Sequence, residues 1–83
     1  MKVTVTQEHI DKGSRVHGTD CPLARAIRAA FGVAASVSLE RTTLWDGRLQ
    51  TVYVLPRKAV RFYRRFDAGK SVKPFTFELG DPS

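Results

Sequence analysis

Alternating and helical spacings of apolar residues divide the chain into short predicted elements. The stretch "KVTVT" at 2–6 alternates valine with polar residues, which predicts a half-buried strand. Thr6 is then placed to cap a short helix that we predict to stop at Gly13. Residues 14–20 show neither period and are predicted to form a loop.

The clearest helical pattern lies at about 20–31. Its apolar residues follow the spacing i, i+3, i+4, i+7, i+8 of one helical face: Leu23, Ala26, Ile27, Ala30 and Phe31. Thr19 or Asp20 is the predicted N-cap, and Pro22 suits the first turn. Gly32 is the predicted stop.

A β-hairpin is predicted where two β-rich runs, 33–45 and 48–55, flank the Asp-Gly pair at 46–47. A two-residue loop would pair Trp45 with Arg48. Alternation along the two runs then gives a predicted core face of Val37, Leu39, Trp45, Val52 and Val54. The predicted polar face carries Glu40, Thr42, Thr51 and Tyr53.

The last predicted elements are a helix and a strand. Pro56 ends the hairpin and suits the N1 position of a helix that stops at Gly69. One side of this helix carries Ala59, Phe62, Tyr63 and Phe66. Alternation predicts a strand at 72–79, and we expect 79–83 to be a frayed tail.

The predicted order β-α-α-β-β-α-β lacks strict βαβ alternation and indicates the α+β class. We expect a three- or four-stranded mixed or antiparallel sheet with helices on one face. With 83 residues, the chain has room for one domain, 1–83, and one small core. Because it has no apolar run of about 20 residues and no apolar segment after Met1, we expect neither a membrane span nor a signal peptide. These features favour a cytoplasmic protein.

Cys21 is the only cysteine, which excludes an intrachain disulfide and a multi-cysteine zinc site within the chain. Its place at a helix start would lower the thiol pKa, and His17 or His9 could act as its base. A buried structural thiol is the alternative, and we favour it because the sequence contains no catalytic signature. The spacing of His9, His17 and Cys21 matches no zinc pattern, so we expect no metal. With no catalytic signature in the sequence, we also expect no cofactor and no enzyme.

A net charge of +6 favours an anionic partner. Five of the fourteen Lys and Arg residues fall within nine positions of the last helix, opposite its aromatic side. The candidate binding residues there are Arg57, Lys58, Arg61, Arg64, Arg65 and Lys70, with Lys73 further along the loop. Arg25 and Arg28 would extend the patch if the two helices lie side by side. The alternative is a solvated face that binds nothing.

Three segments together resemble a known group: "VTQEHIDKG" (5–13), "CPLARAIRAA" (21–30) and "LPRKAVRFYRRFDAGKSVKPFTFEL" (55–79). The chain is similar to short uncharacterised proteins of tailed phages of actinobacteria and related prophages. That group shares the Cys-Pro-x-Ala helix start and the closing Phe-Asp-x-Gly-x-x-Val-x-Pro-Phe-x-Phe segment. The resemblance implies a phage origin and action inside a bacterial host cell, and it assigns no functional residue.

Two functions remain open at this point. The first is a small basic, non-enzymatic protein whose cationic helix contacts the backbone of nucleic acid with little sequence readout. The alternative is a phage effector or inhibitor that binds an acidic surface of a host protein. An exposed strand edge would also let two copies pair as a homodimer.

Overall fold

The computed structural model of the chain describes residues 1–14, 19–38 and 40–80. Its elements are β1 (Lys2–Val5), α1 (Gln7–Lys12), α2 (Pro22–Phe31), β2 (Ala34–Ser38), β3 (Arg41–Asp46), β4 (Leu49–Val54), α3 (Arg57–Asp67) and β5 (Phe75–Glu78). The α+β class is confirmed. The order contains one strand more than predicted, because the predicted first strand of the hairpin is two strands, β2 and β3.

The described strands form two antiparallel sheets. β1 pairs with β5, and the other three strands form a meander in the order β2-β3-β4. Helix α2 contacts both β1 and β2 and so bridges the two sheets. The core gathers apolar residues from both sheets and from α2 and α3: Val3, Val5, Leu23, Ile27, Ala35, Val37, Leu44, Leu55, Ala59, Phe62, Phe77 and Leu79.

Both caps of α1 lie at the predicted residues, Thr6 and Gly13. Thr6 Oγ1 accepts the N–H of His9, and His9 Nδ1 accepts the N–H of Thr6, so the two residues form a capping box. Gly13 follows the helix in an extended conformation, with φ of −71°. A Cβ at Gly13 would lie 2.5 Å from Cδ of Pro22. Glycine therefore serves close packing against α2 here, and not a left-handed turn.

Helix α2 starts one or two residues later than predicted. Its N-cap is Cys21, whose Sγ accepts the N–H of Ala24 at 3.4 Å, and Pro22 takes the first helical position. Asp20 is not the cap because its carboxylate accepts a hydrogen bond from Ser14 and pairs with Arg25. The predicted stop at Gly32 is confirmed, with φ of 71°.

The β3–β4 hairpin is confirmed, and its predicted register is wrong. Asp46 belongs to the strand and faces Leu49, so the two loop residues are Gly47 and Arg48. Trp45 faces Gln50 instead of Arg48. Gly47 has φ of 63° at the first loop position, a conformation that favours glycine.

The predicted core face of this hairpin is also wrong for β3 and β4. The chain reverses between β2 and β3 and sets Val37 opposite Thr42, so odd residues of β2 share a face with even residues of β3. Thr42 is fully buried and its hydroxyl donates to the carbonyl of Ser36 at 2.8 Å. Trp45 and Val54, which were predicted to be buried, are 38% and 50% exposed. Val37 is buried as predicted, Val52 is half-buried, and Leu39 lies outside the described residues.

Helix α3 follows the predicted span closely. Pro56 is its N-cap and not its first helical residue. At the other end, the N–H of Gly69 donates to the carbonyl of Phe66 at 3.0 Å, and the N–H of Lys70 to that of Arg65 at 2.9 Å. This is the Schellman pattern, and Gly69 supplies the left-handed residue it needs, with φ of 78°.

The C-terminal strand is shorter than predicted, and the tail begins later. β5 spans Phe75–Glu78, while 71–74 runs in irregular conformation beside α3. Leu79 is 1% exposed, and its N–H donates to the carbonyl of Met1 at 2.9 Å. The predicted frayed tail at 79–83 therefore cannot include Leu79, and 81–83 lies outside the described residues.

Candidate functional site

Helix α3 presents its cations on one exposed side. At 100° per residue, the helix places them within an arc of about 120° that excludes the buried Ala59 and Phe62. The exposed cations are Arg57, Lys58, Arg61, Arg64 and Arg65. Their predicted exposure is confirmed.

The structure divides this cationic arc into two flanks. Lys58, Arg61 and Arg65 line a surface groove of about 390 Å³ between α3 and the segment 71–75. Arg57 and Arg64 lie on the other flank, around a hollow of about 310 Å³ that also contains Glu40. Because Glu40 offsets positive charge there, the groove flank is the more favourable of the two for an anion.

The groove has an apolar floor and a cationic rim. Phe62, Val72 and Phe75 supply its apolar lining, and the rings of Phe62 and Phe75 lie 4.8 Å apart, centroid to centroid. Lys73 from the segment 71–75 joins the three cations of α3 around it. Ser71 completes the lining, which contains no acidic residue.

The two walls of the groove, α3 and the segment 71–75, contact each other directly. The Arg65 guanidinium donates through Nη2 to the carbonyl of Ser71 at 3.2 Å, and the Schellman turn after α3 fixes the start of the second wall. The contact between Phe62 and Phe75 fixes its far end. A guanidinium has five N–H groups, so Arg65 keeps donors for a ligand beside its contact with Ser71.

The cations of α3 are not neutralised by ion pairs within the described parts of the chain. The ion pairs found there join the Met1 ammonium to Glu78, Lys12 to Glu8, and Arg25 to Asp20. None of the five exposed cations of α3 takes part in them. Lys70 is exposed in the turn that follows α3, close in sequence to the groove wall.

Arg25 and Arg28, by contrast, contact residues of the loop before α2. Arg25 Nη2 lies 2.6 Å from Oδ1 of Asp20, and Arg28 donates to the carbonyl of Thr19. The Ser14 hydroxyl, 2.7 Å from the Asp20 carboxylate, and the neighbouring Arg25 hold the pKa of Asp20 below its ordinary value. These two arginines therefore fasten the loop before α2 to that helix, and their extension of the patch stays a prediction.

Cys21 is buried, as the structural alternative predicted. Its side chain is 0% exposed, and burial raises the pKa of the thiol above its ordinary value of 9.0. The hydrogen bond from Ala24 opposes this rise, and the nearby carboxylate of Asp67 adds to it. The effect of burial on the thiol pKa is therefore larger than the effect of the position at the helix start, which alone would lower it.

The histidines proposed as partners of Cys21 are His9 and His17. His9 uses Nδ1 to accept the backbone N–H of Thr6, and His17 lies outside the described residues. Within 1–14, 19–38 and 40–80, no three His, Cys, Asp or Glu side chains group closely enough to hold a metal ion. In the same ranges, none of the helices has the length and apolarity to cross a membrane.

The sequence interpretation included the helical cations but missed Val72 and Phe75, which complete the groove. The sequence signal for these two residues is weak, because Val72 precedes the last strand and Phe75 begins it. They join Phe62 only because the chain runs back beside α3. Lys73 was noted only as a loop cation. Comparison with protein-family models, curated proteins and solved structures finds no match to this chain, so the assignment of a function rests on these residues.

Proposed function

We propose that this chain is a small non-enzymatic protein that binds the backbone of nucleic acid through α3. The observation that carries the proposal is the convergence of Lys58, Arg61, Arg65 and Lys73 on one groove whose lining contains no acidic residue. Such a concentration of positive charge attracts phosphate, which is the most regular anion that a polymer offers.

The geometry favours backbone contacts over sequence readout. Lys58 and Arg61 are exposed, and Lys58 and Arg65 are about 10 Å apart along the helix axis. Long cationic side chains over such a length can neutralise several phosphates of one strand. Contacts of this kind position a protein on nucleic acid and carry no base information.

The test reverses two charges on the groove flank. In Lys58→Glu/Arg61→Glu, we expect binding to single-stranded and duplex DNA at low salt to be lost, because two favourable contacts become repulsive. Both positions lie in the first half of α3, where glutamate is compatible with the helix dipole, so we expect the fold to persist. Fluorescence anisotropy measures the binding, and circular dichroism monitors the fold.

The matched control is Lys12→Glu/Arg48→Glu, which makes the same change in net charge. Arg48 occupies the hairpin turn, at the opposite end of β4 from α3, and Lys12 ends α1. We expect this control to weaken binding only slightly. If both double variants lose binding equally, general charge explains the affinity and the α3 site is wrong.

The phage origin implied by the resemblance remains a prediction, and so does the alternative of an acidic host protein as partner. A tagged copy distinguishes the two partners in host lysate treated with nuclease. If the partner is nucleic acid, nuclease treatment should remove the molecules captured with the tagged protein. If the partner is a host protein, it should stay bound in stoichiometric amount after nuclease treatment, and the Lys58→Glu/Arg61→Glu variant should not capture it.

A further inference from the structure

The groove beside α3 combines two chemistries that a bare phosphate-binding surface does not need. Its rim is cationic, whereas its floor consists of the half-buried Val72 and Phe75 and of Phe62, which is 7% exposed. A phosphate alone gains nothing from the floor, and an apolar ligand alone gains nothing from the rim. The ligand that satisfies both has a flat apolar part joined to negative charge.

We propose that this groove binds an unstacked base of a single-stranded nucleic acid, while the rim cations contact the phosphates on either side. The inference rests on the proposed function and names the form of nucleic acid that the site takes. Aromatic residues in a cationic groove are the usual means of binding single strands, because every base offers a face for stacking. Bases of a duplex are already stacked and do not enter such a groove.

The size and rigidity of the groove suit this ligand. Its volume of about 390 Å³ lies within the range of about 300 to 1,000 Å³ that small-molecule sites occupy. The bond from Arg65 to the carbonyl of Ser71 and the ring contact between Phe62 and Phe75 hold its two walls in place. A preformed site loses little conformational freedom when the ligand enters.

The charge beyond the groove indicates a polymer and not a single nucleotide. Lys70 follows the groove-lining residues of α3 in the next turn, and Arg57 precedes them on the flank that also carries Glu40; both cations are exposed. A mononucleotide would leave these cations unused. A strand that places one base in the groove would bring its next phosphates towards them.

The test compares oligothymidylate with an abasic phosphodiester of the same length and charge. At low salt we expect the protein to bind oligothymidylate at least about fivefold more tightly, which is the lower end of what one stacked base contributes. Equal affinity for the two strands would overturn the inference and leave the proposed function standing. If neither strand binds, the proposed function itself fails.

A substitution locates the effect in the groove. In Phe75→Leu we expect the preference for oligothymidylate to fall towards unity while the affinity for the abasic strand stays unchanged. Phe31→Leu is the matched control, since Phe31 packs against Tyr53 at 5.8 Å on another part of the molecule. The same preference in Phe75→Leu as in the unmodified protein would overturn the inference. An acidic peptide that contains phenylalanine is the third probe: if it binds and neither strand does, the groove serves a protein partner.

Discussion

Alkaline pH should destabilise this protein through Cys21, and the effect can be isolated by one substitution. The thiol is fully buried, and burial raises its pKa above 9.0 in the folded chain. In the unfolded chain it ionises at its ordinary value. Between these two values the unfolded state binds fewer protons than the folded state, so the free energy of unfolding falls as pH rises.

The magnitude follows from the loss of one proton. A single group that ionises fully on unfolding contributes a slope of about 1.4 kcal/mol per pH unit. At pH 9 about half of the unfolded thiols are ionised, so the loss between pH 9 and pH 10 is about 1 kcal/mol if the folded thiol stays protonated. Below pH 8 Cys21 should contribute almost no pH dependence.

The assay is urea unfolding of the unmodified protein and of Cys21→Ser at several pH values from 7 to 10. Serine does not titrate in this range and can still cap α2 through Ala24. Burial also raises the pKa of Tyr63, with help from Asp67 and from the charge of Cys21. The contributions of burial and Asp67 are common to both proteins and cancel in the difference, whereas the contribution of Cys21 belongs to the effect that the substitution removes. We expect the difference in unfolding free energy to change between pH 9 and pH 10 by up to about 1 kcal/mol, the value reached when the folded thiol stays fully protonated.

Two results would refute this reasoning. One is a difference between the two proteins that does not change with pH. The other is native-state reaction of Cys21 with a thiol reagent at the rate of the unfolded chain, which would mean that the thiol is accessible.

Four further substitutions test the corrected packing. Leu44→Ala should lower the unfolding free energy by about 2–5 kcal/mol, because Leu44 is 5% exposed. Trp45→Thr should lower it by less than about 1 kcal/mol, because Trp45 is 38% exposed. If urea unfolding shows the larger loss for Trp45→Thr, the core lies on the other face of the sheet. Leu79→Ala should also cost about 2–5 kcal/mol, whereas a frayed tail would tolerate it without a measurable change in melting temperature. Gly13→Ala should cost about 1–3 kcal/mol through its contact with Pro22, and unchanged stability would show that the two segments can separate freely.

The helices were predictable because their signals are local. Spacing over two or three turns identified α2 and α3, and Gly32 and Gly69 end them as predicted. The exposure of the α3 cations followed from the same spacing. The N-cap of α2 was misplaced because Thr19, Asp20 and Cys21 are adjacent, and tertiary contacts of Asp20 decided between them.

The sheet faces and the groove depend on contacts between residues far apart in sequence. The chain reverses near residue 40, so the buried positions are odd-numbered in β2 and even-numbered in β3. Alternation continued from β2 into β3 therefore predicts the wrong buried face. Alternation alone does not reveal such a reversal inside a continuous β-rich run. The groove likewise exists because Phe75 returns to Phe62, thirteen positions earlier in the chain, and no spacing rule connects these two residues.

The salt dependence of binding tests most directly the claim that α3 contacts nucleic-acid phosphates. Affinity for oligothymidylate should be measured by anisotropy over a range of salt concentrations for the unmodified protein and for Arg61→Glu. For three to five phosphate contacts on a single strand, the account predicts a log–log slope of about −2 to −3.5 in the unmodified protein, and a shallower slope in the variant. Affinity that does not change with salt, or the absence of binding at the lowest salt, would contradict it.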